Sequence, residues 1–274
     1  MVGLLSGQCI AQSSVSDPIL INNNITTFNP GFIGLENAAN AQVHYQSFIG
    51  SQRTFKTTFV NTHLQIGEQY FAGISATSDI QKGFSYQSSI GLVYSFQLFK
   101  TKKHALLAGT NAGVMNYLLL PTPYTGGISS WGVDVDLGIV YMKNRSSIGL
   151  STTNVFKPEF EIFNGIKNTT RSVHLFLRNN AELSPHSNLR STILFTVNGE
   201  NSFESTGQFE INYTAFSGLV GYDTFLRSVS FGGGLNQKLE KQYYSIYFMY
   251  LRGLQRVAHY RFSRYEIVLR FYII

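Results

Sequence analysis

The sequence predicts an all-β protein, a closed antiparallel β-barrel of about fourteen strands that spans a bacterial outer membrane. Three observations predict it. Apolar residues recur at every second position along most of the chain, which is the period of a strand with unlike faces. The alternating segments run about 9 to 14 residues, enough to cross a bilayer at a tilt and longer than the usual 5 to 6 of soluble strands. Charged residues make up only 13% of the 274, against 14% aromatics and a mean hydropathy near zero, −0.01. A surface so poor in charge fits a chain whose residues alternate between lipid and a polar interior.

The amino terminus comes first. Residues 1–11 carry a short apolar stretch ending in small Cys9 and Ala11, in the manner of the tail of a secretory signal. No Lys or Arg precedes Arg53, so the usual basic region is missing. Cys9 is the single cysteine, which excludes a disulfide framework. Residues 12–40 form an N-terminal segment without strand periodicity, and 41–274 form the barrel. The segment 12–40 and the connection 156–170 are both long enough to plug a lumen.

Strands follow at 41–50, 54–66, 70–79, 86–99, 104–117, 131–143 and 146–155, then at 171–182, 188–199, 203–215, 217–225, 227–238, 242–253 and 264–274. The alternation is clearest where Val133, Val135, Leu137, Ile139 and Tyr141 leave Asp134, Asp136 and Gly138 between them. Phe209, Ile211, Tyr213 and Ala215 oppose Glu204, Gln208, Glu210 and Asn212. In the last segment Tyr265, Ile267, Leu269 and Phe271 oppose Arg264, Glu266 and Arg270. Asp134, Asp136, Glu204, Glu210, Arg264, Glu266 and Arg270 are therefore expected to face a wet lumen. The stretch from His104 to Leu120 is apolar enough to suggest a helix, but Gly109, Asn111, Gly113 and Asn116 make it a poor one in lipid. Closure follows from hydrogen bonding, because hydrocarbon offers no water to an open sheet edge. Tyr70, Tyr86, Phe99, Tyr117, Tyr141, Tyr244 and Tyr265 stand near strand ends, where interfacial aromatic girdles belong.

Chemistry is sparse. The six histidines show no metal-ligand spacing. Gly232-Gly233-Gly234 lacks the strand-then-helix context of a phosphate loop. Asp134 and Asp136 share a face and could serve as an acid–base pair or a cation site, although lumen lining is the plainer role. The net charge of +6 is spread out, with Lys102-Lys103 among the longest basic runs, so nucleic acid is not an expected partner. No catalytic residue, cofactor or metal is expected.

Asp17-Pro18-Ile19-Leu20 is followed by Phe28-Asn29-Pro30-Gly31-Phe32-Ile33-Gly34 just ahead of the first strand. This resembles the entry motif of the PorP/SprF family, outer-membrane proteins of the type IX secretion and gliding systems of Bacteroidetes, in which Asn-Pro-Ala-aromatic-x-Gly is usual. The similarity continues in order through Asp79-Ile80-Gln81-Lys82-Gly83, Trp131 to Tyr141, Ser147 to Ser151, Val220-Gly221-Tyr222-Asp223 and Ser263 to Arg270. Gly31 stands where the family has Ala, which marks a divergent member. The resemblance implies a part in exporting or anchoring surface proteins, with other secretion subunits or cargo proteins as partners beside the membrane lipid. Asn29, Pro30 and Gly34 are the motif positions expected to order the N-terminal chain against the barrel, a simple turn before strand one being the alternative. Read from residues alone, a passive pore with a basic lumen is the competing function.

Overall fold

A computed structural model describes residues 21–35, 38–49, 54–81, 85–121, 127–156, 159–162, 165–168, 171–199, 203–224, 227–239, 242–254 and 263–273. The expected signal region, Cys9 and His259 lie outside the described residues.

Fourteen strands close into one antiparallel barrel. They are β1 (Ala39–Ile49), β2 (Thr54–Gln65), β3 (Tyr70–Gln81), β4 (Ser85–Lys100), β5 (His104–Leu119), β6 (Ile128–Lys143) and β7 (Ser146–Thr153). After a short separate hairpin of β8 (Glu159–Ile162) and β9 (Gly165–Asn168) come β10 (Ser172–Ser184), β11 (Ser187–Asn198), β12 (Phe203–Tyr213), β13 (Phe216–Asp223), β14 (Ser228–Leu239), β15 (Gln242–Gly253) and β16 (Ser263–Ile273). Each strand pairs with its neighbour in the chain, β7 with β10 across the hairpin, and β1 closes on β16 with Val43 opposite Leu269 and Gln46 opposite Glu266. Closure leaves the sheet without an edge strand, although β6 runs past β7, which it pairs with from Leu137 to Lys143. Among the described residues no helix is long and apolar enough to cross a membrane; the strands make the crossing. The candidate helix at His104 to Leu120 is strand β5.

Burial alternates with parity. On β15, Ser245, Tyr247, Met249 and Leu251 are buried while Tyr244, Ile246 and Phe248 are exposed. The outer surface carries Ile74, Ile90, Leu92, Val114, Leu137, Ile139, Leu150, Ile193, Phe209, Val220, Phe231, Ile246, Phe248 and Leu269, a continuous apolar face turned to lipid. Tyr70, Tyr86, Phe99 and Tyr244 are exposed as an interfacial girdle requires, but Tyr117 is buried at 5% exposure. It shares inward parity with Ala105, Leu107 and Met115 on β5, and strand parity overrides nearness to the strand end.

The two rims differ. On one, connections are two to four residues long: 66–69, 101–103, 144–145, 185–186, 214–215 and 240–241. Asn144 and Thr214 take positive φ, 54° and 49°, as two-residue hairpin turns require. The opposite rim carries the long connections 120–127, 154–171 and 254–262. In outer-membrane barrels the short turns face the periplasm. Ala39 pairs with both Leu64 and Ile273, so β1 begins and β16 ends on that periplasmic rim.

Ahead of β1 stand a helix, α1 (Ile21–Phe28), and a 3-10 turn (Pro30–Phe32). Ile21, Ile25 and Phe28 fall on one helical face and are buried to 1%, 5% and 5% exposure. That face packs with Phe32 against Val140, Phe176 and Leu194, inward residues of β6, β10 and β11. Most of the burial that makes this short helix possible is therefore supplied by the barrel, since a helix of this length is marginal alone.

Candidate functional site: the seat of the N-terminal segment

The segment from Ile21 to Leu35 lies inside the barrel, and its turn residues meet a wall made for them. Asn29 is fully buried. Its amide Nδ2 donates to the carbonyls of Ile139 (3.3 Å) and Leu150 (3.2 Å), and its Oδ1 accepts from the Gly31 amide at 2.9 Å. One side chain thus ties the segment to β6 and β7 while capping its own 3-10 turn. Pro30 at the first position of that turn has no amide to leave unpaired, and its fixed φ suits the turn. The Ser151 hydroxyl donates to the Phe28 carbonyl at 2.7 Å, and Asn61 Nδ2 on β2 donates to Thr27 Oγ1 at 3.0 Å.

The backbone can approach this closely because the wall carries no side chain there. A Cβ on Gly109 would stand 2.4 Å from the Pro30 carbonyl oxygen. On Gly138 it would stand 2.0 Å from Asn29 Oδ1, and on Gly149 2.8 Å from Asn29 Nδ2 and 2.9 Å from the Phe32 ring. Gly109 and Gly138 are direct cross-strand partners, and Gly149 pairs with Val140 one inward step along β6. Three adjacent strands so form a bare floor for the Asn29-Pro30-Gly31 knuckle. Gly34 takes φ +80° beside the Phe71 ring, where a Cβ would fall 2.4 Å from ring carbons. Gly31 has room for little more than itself, its would-be Cβ meeting Asn29 Oδ1 at 3.0 Å and the Gly138 backbone at 3.2 Å. The alanine usual in the family would fit there after a shift of a few tenths of an ångström.

Further along, Ile33 packs with Phe71 and Val93 on β3 and β4, and the Phe28 ring meets His174 and Phe176 at 5.6 and 5.9 Å. The segment therefore touches inward residues on eight strands, from Asn61 on β2 round to Leu194 on β11.

The remaining arc, β12 to β16 and β1, fills its share of the interior with its own side chains. Leu219, Tyr247, Met249, Leu251 and Val268 form a buried cluster. Beside it Glu210 accepts from Arg190 (3.4 Å) and Tyr247 (3.4 Å), and Tyr247 also donates to Asn236 (3.0 Å). His44 bonds Glu266 Oε1 through Nδ1 at 3.2 Å and Gln42 through Nε2.

The polar residues singled out in the sequence stand along this interior. Asp136, Glu204, Glu210, Arg264 and Glu266 are buried; Asp134 and Arg270 are partly buried at the same inward parity. Arg270 Nε donates to Asn40 at 3.1 Å and its guanidinium lies 4.7 Å from the Tyr272 ring centroid. Glu204 accepts from Asn198 at 3.0 Å. Asp134 and Asp136 share the inward face of β6, and Asp136 accepts from Asn111 Nδ2 and from the Asn154 amide, both at 3.0 Å. Among the described residues no group of three His, Cys, Asp or Glu is placed to hold a metal. Gly232 and Gly234 leave space for Met249 and the Tyr247 ring.

The sequence reasoning missed the helix, the glycine floor and the contacts of Ser151 and Asn61. The helix had a signal in the spacing of Ile21, Ile25 and Phe28. Gly109, Gly138 and Gly149 were visible as strand glycines, but their register was not.

Comparison with known proteins places this geometry. The family described as type IX secretion system membrane protein PorP/SprF matches residues 15–271. Among curated proteins no sequence matches significantly. Of solved structures, the CymD monoaromatic hydrocarbon channel is similar with a TM-score of 0.60 at 11% identity, covering 92% of each chain. A FadL homologue of Pseudomonas aeruginosa gives 0.55 at 10% identity, covering 89% of this chain and 91% of that one. The translocator domain of the autotransporter NalP from Neisseria meningitidis gives 0.51 at 10%, covering 92% and 94%. At such identities the likeness is one of fold.

Proposed function

The chain belongs to the PorP/SprF family of type IX secretion system membrane proteins, and from that premise we propose that it assists export or surface anchoring of cargo as a plugged barrel. It is an outer-membrane barrel of that secretion system. In this reading it holds other secretion subunits, or the C-terminal domains of cargo proteins, on its rims, and passes no solute of its own. The observation that carries the reading is the seated N-terminal segment: Asn29 bonds two strands across a floor of Gly109, Gly138 and Gly149. A segment seated in this way occupies lumen that a steadily open pore would leave to water. The far arc supports the same reading, because Met249, Val268, Glu210 and His44 are fully buried where an open channel would wet them.

The test is a tagged full-length protein captured from cells after mild cross-linking, together with the secreted and surface proteins of a deletion strain. Retrieval of other secretion components or of a cargo protein, with altered export in the deletion strain, is expected. Unchanged export together with steady ohmic conductance of the isolated protein would instead make it a passive porin.

A further inference from the structure

We propose that the periplasmic rim between β6 and β11 carries a binding site for one anionic phospholipid of the inner leaflet. A groove of about 370 Å³ runs there on the lipid face, lined by Tyr141, Ile148, Leu177 and Ile193 and, at the rim, by Lys143 and the small Ser146 and Ser191. Ile148, Leu177 and Ile193 are exposed at 44%, 39% and 40% as part of the apolar belt, so an acyl chain is the natural occupant. The Tyr141 wall is fixed, its hydroxyl 2.6 Å from His104 Nδ1. Its Lys143 and Ser146 end lies at the short-turn rim, where inner-leaflet headgroups lie.

Charge at that mouth selects the headgroup. Lys143 lines the groove, and Lys102 and Lys103 stand in the adjoining turn, whose Lys103 carbonyl accepts from the Asn144 amide at 2.7 Å. Lys100 ends β4 alongside. All four are exposed, and among the described residues none has a carboxylate partner. On this rim between β4 and β11 the described carboxylate is Glu182, and Arg145 already holds it. Four exposed cations beside an apolar slot in the membrane face match a lipid phosphate whose tail enters the slot. The cluster also accounts for the basic run Lys102-Lys103, which the secretion reading does not use.

The experiment is native mass spectrometry of the detergent-purified full chain titrated with dioleoyl phosphatidylglycerol or, separately, dioleoyl phosphatidylcholine. Phosphatidylglycerol should be retained preferentially. Lys103→Gln and Lys143→Gln should each weaken that retention about fivefold and leave phosphatidylcholine unchanged. Leu177→Trp, which fills the groove, should weaken both lipids. Lys56→Gln, on the opposite rim, should change neither. Equal retention of the two lipids by the unmodified protein overturns the proposal. So does a preference that survives Lys103→Gln with Lys143→Gln, or one that Lys56→Gln erodes equally. Loss of an acidic protein partner in those lysine variants, with lipid retention intact, gives the patch to a protein instead.

Discussion

The two walls of this barrel solve the same problem in opposite ways. On β5, β6 and β7 the interior is bare at Gly109, Gly138 and Gly149, and the space is filled by a segment from outside the sheet. On β14, β15, β16 and β1 it is filled by the wall itself, with Tyr247, Met249 and Val268 packed beside the His44–Glu266 and Arg190–Glu210 pairs. The first arrangement should be separable, because the filler is no part of the closed ladder. The second is not, since removing any member leaves a cavity or an unpaired polar group in a strand that must still close. Glycine in a strand therefore means different things on the two walls: Gly138 makes room for another segment, Gly234 for the Tyr247 ring of the neighbouring strand.

Outside, the walls should be alike. Leu137→Arg on one and Phe248→Arg on the other put a charge on the lipid face, and each should cost roughly 2 to 4 kcal/mol of assembly stability. Reduced yield of the heat-modifiable, detergent-resistant form would register it. Asp136→Asn, one residue from Leu137 but facing inward, should cost less by the same assay, about 1 kcal/mol for the acceptor it turns into a donor. A large difference between Leu137→Arg and Phe248→Arg would mean that the lipid belt is not continuous around the barrel.

Inside, the walls should part. Gly138→Val places side-chain atoms where Asn29 sits, an overpacking worth about 1 to 3 kcal/mol, and the separable filler is what should yield. The expected result is a barrel of unchanged heat-modifiability whose residues 21–35 become open to limited proteolysis. Loss of the barrel itself would show that the segment is integral to the wall. Asn29→Ala should act in the same direction more weakly, by about 1 kcal/mol once water takes up the carbonyls it abandons. Glu266→Gln on the other wall keeps the shape and weakens the bond to His44. It should shift thermal stability by about 1 kcal/mol and leave the segment protected.

Much of this was legible in the sequence. Parity alone marked Leu137 and Ile139 as outward and Glu210 and Glu266 as inward, because a strand's side chains alternate without exception unless a bulge intervenes. Fourteen segments were countable because turn residues such as Asn144-Arg145 interrupt the alternation sharply. What parity does not encode is register. Gly109 opposite Gly138 is a relation between two strands, and nothing local to either residue announces it. Tyr117 was misplaced for a related reason: nearness to a strand end suggested the interface, while its odd position on β5 sends it inward. The role of Asn29 was equally hidden, since its hydrogen-bond partners lie 110 and 121 residues away.

The central claim is that the N-terminal segment closes the lumen from its seat on the glycine floor, and single-channel recording in planar bilayers tests it most directly. The unmodified protein should conduct poorly, while Gly138→Val should give frequent, larger openings because its segment no longer docks. A steady large conductance from the unmodified protein, equal to that of Gly138→Val, would contradict the account.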